Sequence, residues 1–282
     1  KKALSVAGFG CEIFINAGTY TEEFPLTVPA GVNVIGESIR AVNIEPTVAT
    51  RFSDAFLLHG DSSVSFLTVR DYFYTPATNT GYAFRFAPGI KIVSKSPYIQ
   101  NVTVITKGSV TSAADPLGFL QGDAGAGIYL DGSVADPTST LPSGLFYAVT
   151  LITPNQDAIT ATHGVRVEWL NSFTYYAKRG IFLIDDAEFR SINSANIYGT
   201  YGIVADGPDT LAYICGHNFG YVGSGSNSLN DPKTAISDNE VVTLNNGTVY
   251  YDSVDHHGNY RIGDVFYVNQ DTGQVSFDAR SI

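Results

Sequence analysis

One short phrase recurs along the chain: a glycine, then alternating apolar residues, then a polar turn. Its six copies begin at Gly31, Gly89, Gly127, Gly164, Gly180 and Gly202. Alternation of apolar and polar residues is typical of a β-strand with one buried face, and glycine permits the sharp bend that separates two strands. A looser alternating phrase follows several copies, as in SSVSFLTVRD from Ser62 and YIQNVTVITKG from Tyr98. The pattern predicts many short, similar strands.

The spacing of the copies indicates how these strands are arranged. Apolar positions rarely recur at the three- or four-residue interval of a helix, and the chain carries 28 Gly and 12 Pro,. The last three copies begin 16 and 22 residues apart, near the length of one solenoid turn, whereas the earlier gaps of 58, 38 and 37 residues imply two turns or inserted loops,. We therefore predict an all-β fold, a right-handed single-stranded parallel β-helix of about nine or ten turns.

Segments rich in Asp-Pro, Gly, Ser and Thr interrupt the pattern. Residues 113–126 and 135–144 are predicted loops, and residues 220–237 end the repeat,. Beyond them, NNG and DTG turns separate short strands, as in β-hairpins,. We predict a parallel β-helix over residues 1–225 and a C-terminal β-hairpin segment over residues 226–282. The second segment is too short to bury a core alone, so we expect it to intertwine in a homotrimer.

Charge, hydropathy and cysteines exclude some functions. The chain has 27 acidic and 16 basic residues and a formal charge of −11, which argues against nucleic acid as a partner,. No apolar run is long enough to cross a bilayer, so membrane insertion is not expected,. Cys11 and Cys215 lack the spacing of metal or redox motifs,. A disulfide between them is one alternative, and two buried free thiols are the favoured one.

Carboxylates suggest a polysaccharide-cleaving enzyme at first sight. The opening stretch EIFINAGTYTEEFPLTVPAGVNVIGES from Glu12 resembles the first turn of pectin methylesterases, but the phrases QAVAL, DFIFG and LGRPW that carry their chemistry are absent. Asp185 and Asp186 form an acidic pair, with His163 upstream. Adjacent residues of a strand point to opposite faces, so these two carboxylates would not address one bond, and a solvated turn is favoured. No catalytic residue is assigned.

Two further groups of residues are candidate ligands for a cation. Asp206 and Asp209 flank a Gly-Pro turn, and Asp255 precedes His256 and His257 in a sequence typical of a hairpin turn,. Turns are the favoured interpretation of both groups, so no metal or other cofactor is predicted.

Aromatic residues provide a candidate sugar-binding surface. The stretch WLNSFTYY places Trp169, Tyr175 and Tyr176 close together, and exposed aromatic rings can stack on sugars. The alternative is that these rings pack inside the solenoid or between subunits.

Four stretches together resemble a known family. They are SPYIQNVTVIT from Ser96, YLDGSVADP from Tyr129, NIYGTYGIVADG from Asn196 and DHHGNYRIGDVFYVNQDTGQVSF from Asp255. The chain is similar in these stretches to virion structural proteins, tail-fibre or baseplate-associated, of tailed phages that infect marine cyanobacteria and related bacteria. The last stretch is the most specific, with Arg261, Gly263 and Asp264 inside its motif.

The resemblance implies a structural or host-recognition role in the phage tail, as a trimer within the virion. Its expected partners are other copies of the chain, other tail proteins and host cell-surface polysaccharide. The alternative is a polysaccharide depolymerase, a lyase, hydrolase or esterase on a β-helical tailspike. Its acids would come from Asp185, Asp186, Asp206 or Glu168.

Overall fold

The chain is built almost entirely from short β-strands. The computed structural model describes residues 1–92, 95–106, 124–139, 141–197 and 201–204 in full, and the backbone of 205–206, 211–215, 218–219, 249–251, 264–268 and 275–276. Within this described part, helical residues form two short 3₁₀ helices, Val48–Thr50 and Gly132–Val134. The predicted all-β class is confirmed. No helix among these residues is long and apolar enough to span a membrane.

Most strands fall into three ladders of parallel pairs. The first ladder contains β1 (Glu12–Ile15), β4 (Asn33–Gly36), β7 (Ser63–Arg70), β9 (Tyr98–Ile105), β11 (Ser143–Tyr147), β14 (Arg166–Leu170), β17 (Glu188–Ile192) and β20 (Leu211–Cys215). The second contains β2 (Gly18–Glu22), β5 (Val42–Pro46), the C-terminal parts of β7 and β9, β12 (Thr150–Ile152), β15 (Phe173–Tyr175), β18 (Ala195–Ile197) and β21 (Asn218–Phe219). The third contains β3 (Leu26–Val28), β6 (Phe56–Leu58), β8 (Tyr82–Phe86), β10 (Ala126–Asp131), β13 (Ile159–Thr162), β16 (Arg179–Ile184) and β19 (Tyr201–Asp206).

The chain visits the three ladders in a fixed order, and we call each passage through all three a circuit. β1, β2 and β3 form the first circuit, and β17, β18 and β19 form the seventh. Regular circuits are short, since Arg166 pairs with Glu188 and Glu188 pairs with Leu211. The first circuit is equally short, since Glu12 pairs with Asn33. The second to fourth circuits are longer, since Asn33 pairs with Ser63, Ser63 with Tyr98 and Tyr98 with Leu145. The described strands up to Asp206 complete seven circuits, so the predicted nine or ten is wrong because connecting segments lengthen these three.

Inward-facing side chains stack in register from circuit to circuit. In the third ladder, one such column consists of Leu26, Phe56, Phe84, Ile128, Ile159, Ile181 and Ile203, each at most 4% exposed. The first ladder contributes Val34, Val64, Ile99, Phe146 and Trp169. These residues belong to one continuous apolar cluster. Burial of this apolar surface provides the main driving force for stacking the circuits.

A column of left-handed residues marks the bend between the first and second ladders, and we call it the corner column. It consists of Phe66, Asn101, Ala148, Asn171 and Asn193, whose φ angles lie between 49° and 56°. The register of the flanking strands aligns these positions. Asn193 Nδ2 donates a hydrogen bond to Asn171 Oδ1 at 2.8 Å. Asparagine tolerates this backbone region better than most residues, which explains why the column is rich in it.

The corner column corrects one expectation about glycine. Gly31 adopts the left-handed conformation expected of a glycine corner, with φ of 68°. In the corner column, by contrast, none of the five left-handed residues is a glycine.

The C-terminal strands pair differently. β22 (Val249–Tyr251) pairs antiparallel with β19, and β23 (Asp264–Val268) pairs antiparallel with β20 and with β24 (Val275–Ser276). The predicted domain boundary at 225/226 lies outside the described residues. Trimer formation by the C-terminal segment stays a prediction.

The structure describes the side chain of Cys11 but not that of Cys215. Cys11 is exposed and carries a free thiol, so the expectation that it is buried is wrong. Its position just before β1, at the start of the first circuit, explains this exposure. The side chain of Cys215 lies outside the described residues.

Candidate functional site

Trp169 lies in the interior, and its predicted role in a glycan-contact surface is therefore wrong. The pleat of β14 directs Val167 and Trp169 into the core, where both are fully buried, and leaves Glu168 outside,. The Trp169 ring packs against Phe146 with ring centroids 5.8 Å apart. Its indole nitrogen Nε1 has no hydrogen-bond partner within the described part of the chain.

Tyr175 and Tyr176 are both half-buried, at the end of β15. Their ring centroids lie 6.3 Å apart. Tyr175 is in register with Ile152 and Ile197, which are also half-buried. These two tyrosines form a small, mainly apolar surface without Trp169, and their contact with a glycan stays a prediction.

The acidic pair lies in an exposed turn between the third and first ladders. Asp185 and Asp186 have φ angles of 47° and 60°, which supports the turn interpretation. The half-exposed His163 ring lies between two carboxylates: its Nδ1 is 3.0 Å from Asp131 Oδ1, and its Nε2 is 3.9 Å from Asp185 Oδ2. Asp131 Oδ1 also accepts a hydrogen bond from the backbone N–H of Ser133 at 2.8 Å.

Glu168 belongs to a set of ion pairs on the outer face of the first ladder. Its Oε1 lies 2.8 Å from Arg166 Nε, and it is in register with Arg190. Partial burial raises the pKa of Glu168 above its usual value, against the opposing effect of these two arginines. Arg166 lies within β14 beside Glu168, and Arg190 lies on the neighbouring β17, so these charges are explained as support for the ladder,.

The remaining metal candidates are only partly described. Asp206 is described as backbone within β19, and Asp209, Asp255, His256 and His257 lie outside the described residues. Elsewhere in the described chain, no group of three or more His, Cys, Asp or Glu side chains is arranged to hold a metal ion.

Sequence reasoning missed a surface on the third ladder. Five side chains there form what we call the Tyr–Arg face: Arg85, Tyr129 and Phe182 are partly exposed, and Tyr82 and Thr160 are buried beside them, at 3% and 4% exposed. Arg85, Tyr129, Thr160 and Phe182 occupy one register column on successive strands. Their neighbours along each strand are core residues, so the pleat directs this column outward,. Successive members are therefore about 4.8 Å apart.

Arg85 holds together the half of this face that contains Tyr82 and Tyr129. Its Nε lies 2.7 Å from Asp54 Oδ2, and its terminal nitrogen NH2 donates to the carbonyl of Asn79. The guanidinium carbon lies 4.3 Å from the centre of the Tyr129 ring and 5.0 Å from that of Tyr82. The two tyrosine rings are 5.1 Å apart. Cation–π contacts of this kind fix the planes of all three groups.

Asp54 anchors the arginine from the buried side. Its Oδ1 accepts hydrogen bonds from the backbone N–H groups of Gly81 and Tyr82, at 2.9 and 3.0 Å. Burial nevertheless raises the pKa of Asp54 above its usual value, because desolvation outweighs the attraction of Arg85,. Burial likewise raises the pKa of Tyr129, and the nearby Asp131 carboxylate adds to that effect.

A second arginine supports the other half of the face. Arg179 lies with its guanidinium carbon 3.5 Å from the centre of the Phe182 ring. Its Nε donates to Asp157 Oδ1 at 2.7 Å, and NH2 donates to Oδ2. Between the two halves, Thr160 is only 4% exposed, and its hydroxyl has no hydrogen-bond partner among the described residues.

The arrangement combines aromatic rings, rigidly held guanidinium groups and an unpartnered hydroxyl on one outer face. These groups suit the binding of a ligand that has both apolar C–H surface and hydroxyl groups. A sequence signal for the face exists: GIYL from Gly127 and GIFL from Gly180 place an aromatic residue at the same outward position.

Comparison with known proteins leaves the family open. No protein-family model matches the chain, and neither the curated proteins nor the solved structures include one with significant similarity to it.

Proposed function

We propose that this chain is a structural protein of a phage tail that attaches to host surface glycan. In this proposal the three ladders form a right-handed parallel β-helix, the hand that connections between parallel strands almost always take. The observation that carries the proposal is the register, because seven circuits stack on one continuous apolar cluster. At about 4.8 Å per circuit, this stack forms a stiff body about 30 Å long, as a tail scaffold requires. The resemblance of four sequence stretches to tail proteins supplies the location.

Exposed apolar residues support self-association as a homotrimer. Tyr147, Leu170 and Ile192 form one outward column of the first ladder, and Phe173 lies across the corner column from them. Tyr147 is 37% exposed, Phe173 38% and Ile192 53%. Contiguous apolar surface of this kind is typical of a protein–protein contact. Light scattering tests it: we expect three times the 30.2 kDa mass of one chain, and a monomer would contradict the trimer.

Attachment to glycan is tested with host cells. Fluorescently labelled chain should adsorb to untreated cells, and periodate oxidation of the cell surface should abolish adsorption because it destroys vicinal diols of sugars. Protease treatment of the same cells is the matched control. Adsorption that survives periodate but not protease would show that the receptor is a protein.

The depolymerase alternative is favoured by one observation, the position of His163 between Asp131 and Asp185. An imidazole held by carboxylates can transfer protons. The test is release of reducing or unsaturated ends from host polysaccharide by the intact chain. Product formation that Asp185→Ala abolishes would establish the depolymerase in place of simple attachment.

A further inference from the structure

We propose that the Tyr–Arg face binds a neutral hexose unit. This rests on the proposed attachment to glycan and assigns a site and a sugar class to it. The sugar would lie across the outward column of the third ladder, against the rings of Tyr129 and Phe182, with Thr160 between them.

The aromatic rings provide the apolar part of such a site. Tyr129 and Phe182 flank Thr160 on the two neighbouring strands, so they stand about 10 Å apart, close to the length of one or two pyranose rings,. Both are half-buried and thus partly open to solvent. Arg85 and Arg179 hold these rings in place before any ligand binds. Binding to pre-ordered rings costs little conformational entropy.

Hydrogen-bonding groups provide the specificity for hydroxyls. A guanidinium carries five N–H donors, and the contacts of Arg179 with Asp157 involve only Nε and NH2,. The hydroxyl of Thr160 is a separate indication of a ligand, because it is almost wholly buried and has no partner among the described residues. Buried hydroxyls are normally satisfied. A sugar hydroxyl seated between the rings would supply the missing partner.

The charge of the face selects against acidic sugars. Arg85 is paired with Asp54 and Arg179 with Asp157, so both guanidinium charges are compensated. Asp131 adds a further carboxylate close to Tyr129. The chain as a whole carries a formal charge of −11. Uronate, sialate or sulfate groups would therefore meet net repulsion, whereas neutral hexoses would not.

Calorimetric titration of the full chain tests the proposal. The probes are neutral hexasaccharides of glucose and mannose, with a hexagalacturonate as the acidic counterpart. We expect a neutral probe to bind with little dependence on salt, and hexagalacturonate to bind at least about tenfold more weakly. Tyr129→Ala should weaken binding of the neutral probe by about tenfold. Phe14→Ala, which truncates an aromatic 62% exposed on the first ladder, is the matched control and should leave affinity unchanged.

Thr160→Val is a second test variant, and its effect on binding can be separated from any effect on folding. It is nearly isosteric and removes a hydroxyl that has no partner among the described residues, so a purely structural residue would tolerate it. We expect unchanged or raised thermal stability together with severalfold weaker binding of the neutral probe.

Three results would overturn the proposal. The first is no binding of any neutral probe while labelled chain still adsorbs to periodate-sensitive cells, which would leave attachment intact and remove only this sugar class. The second is preferential binding of hexagalacturonate. The third is neutral-probe binding that Tyr129→Ala and Thr160→Val leave unchanged but Tyr175→Ala abolishes, which would place the site on the second ladder. If the labelled chain fails to adsorb even to untreated cells, that result would instead contradict the attachment function itself.

Discussion

Ala148 is the one alanine in the corner column, and replacing it should stabilise the chain. Its φ of 53° is a left-handed conformation that costs an alanine about 1–2 kcal/mol,. Asparagine tolerates this conformation, and it occupies the neighbouring positions of the column at Asn101 and Asn171. Ala148→Asn should therefore raise the free energy of unfolding by about 1 kcal/mol. A side-chain hydrogen bond to Asn171, like the 2.8 Å bond between Asn193 and Asn171, would add about 0.5 kcal/mol,.

Urea denaturation measures this effect, with the fluorescence of Trp169 as the probe. Trp169 is the single tryptophan of the chain and is fully buried, so its emission reports loss of the core. Ala135→Asn is the matched control, because Ala135 has an ordinary φ of −68° and should gain nothing. Asn171→Ala should lower the free energy of unfolding by about 1–2 kcal/mol. Equal stability of Ala148→Asn and the wild type would refute the account of the corner column.

Three further predictions concern the core, the stacking and pH. Trp169→Ala should cost about 3–5 kcal/mol through the cavity it leaves, which circular dichroism during urea denaturation can measure; a loss below about 1 kcal/mol would contradict its interior position. Gly132→Ala would place a methyl group 1.9 Å from the His163 carbonyl oxygen of the next circuit, so its melting temperature should fall well below that of Gly8→Ala, where no atom lies within 4 Å. Burial lowers the pKa of His59 below 6.5, so the unfolded chain binds more protons there and stability should fall as pH decreases through the region below 6.5,. His59→Gln should flatten that pH dependence of the denaturation midpoint, and an unchanged slope would assign it to other groups.

Much of the fold followed from local pattern. Strands with one buried face alternate in sequence, and the alternating Val32 and Val34 that follow Gly31 are both buried. The predicted loop over residues 135–144 is confirmed in its described part except at its last two residues, since β11 begins at Ser143, and Pro lacks the N–H that a ladder requires,. The predicted loop over residues 113–126 lies outside the described residues except for its last three, of which Ala126 begins β10.

The length of the repeat was harder to predict, because the glycine phrase marks two different ladders. Gly180 and Gly202 both belong to the third ladder, so their 22-residue spacing is one circuit. Gly164 precedes β14 of the first ladder, so the 16-residue spacing to Gly180 is not a repeat. A clearer signal was the Asn-Ser pair at 171–172 and again at 193–194, which marks the corner column in consecutive circuits.

The candidate site was missed for a related reason. Tyr82 and Arg85 lie more than 40 residues before Tyr129, and Phe182 follows more than 50 residues later. Only the register of the third ladder brings them together. Trp169 was misplaced because its direction depends on which face of β14 lies inward, and the stretch around it contains apolar residues on both faces.

The proposed tail function predicts that a phage genome encodes this chain. The most direct test is electron cryomicroscopy of that phage's particles, decorated with Fab fragments raised against the purified protein. We expect Fab density on the tail, around a stiff rod with threefold symmetry. Particles that contain no detectable copy of the chain, or Fab density confined to the capsid, would contradict the account.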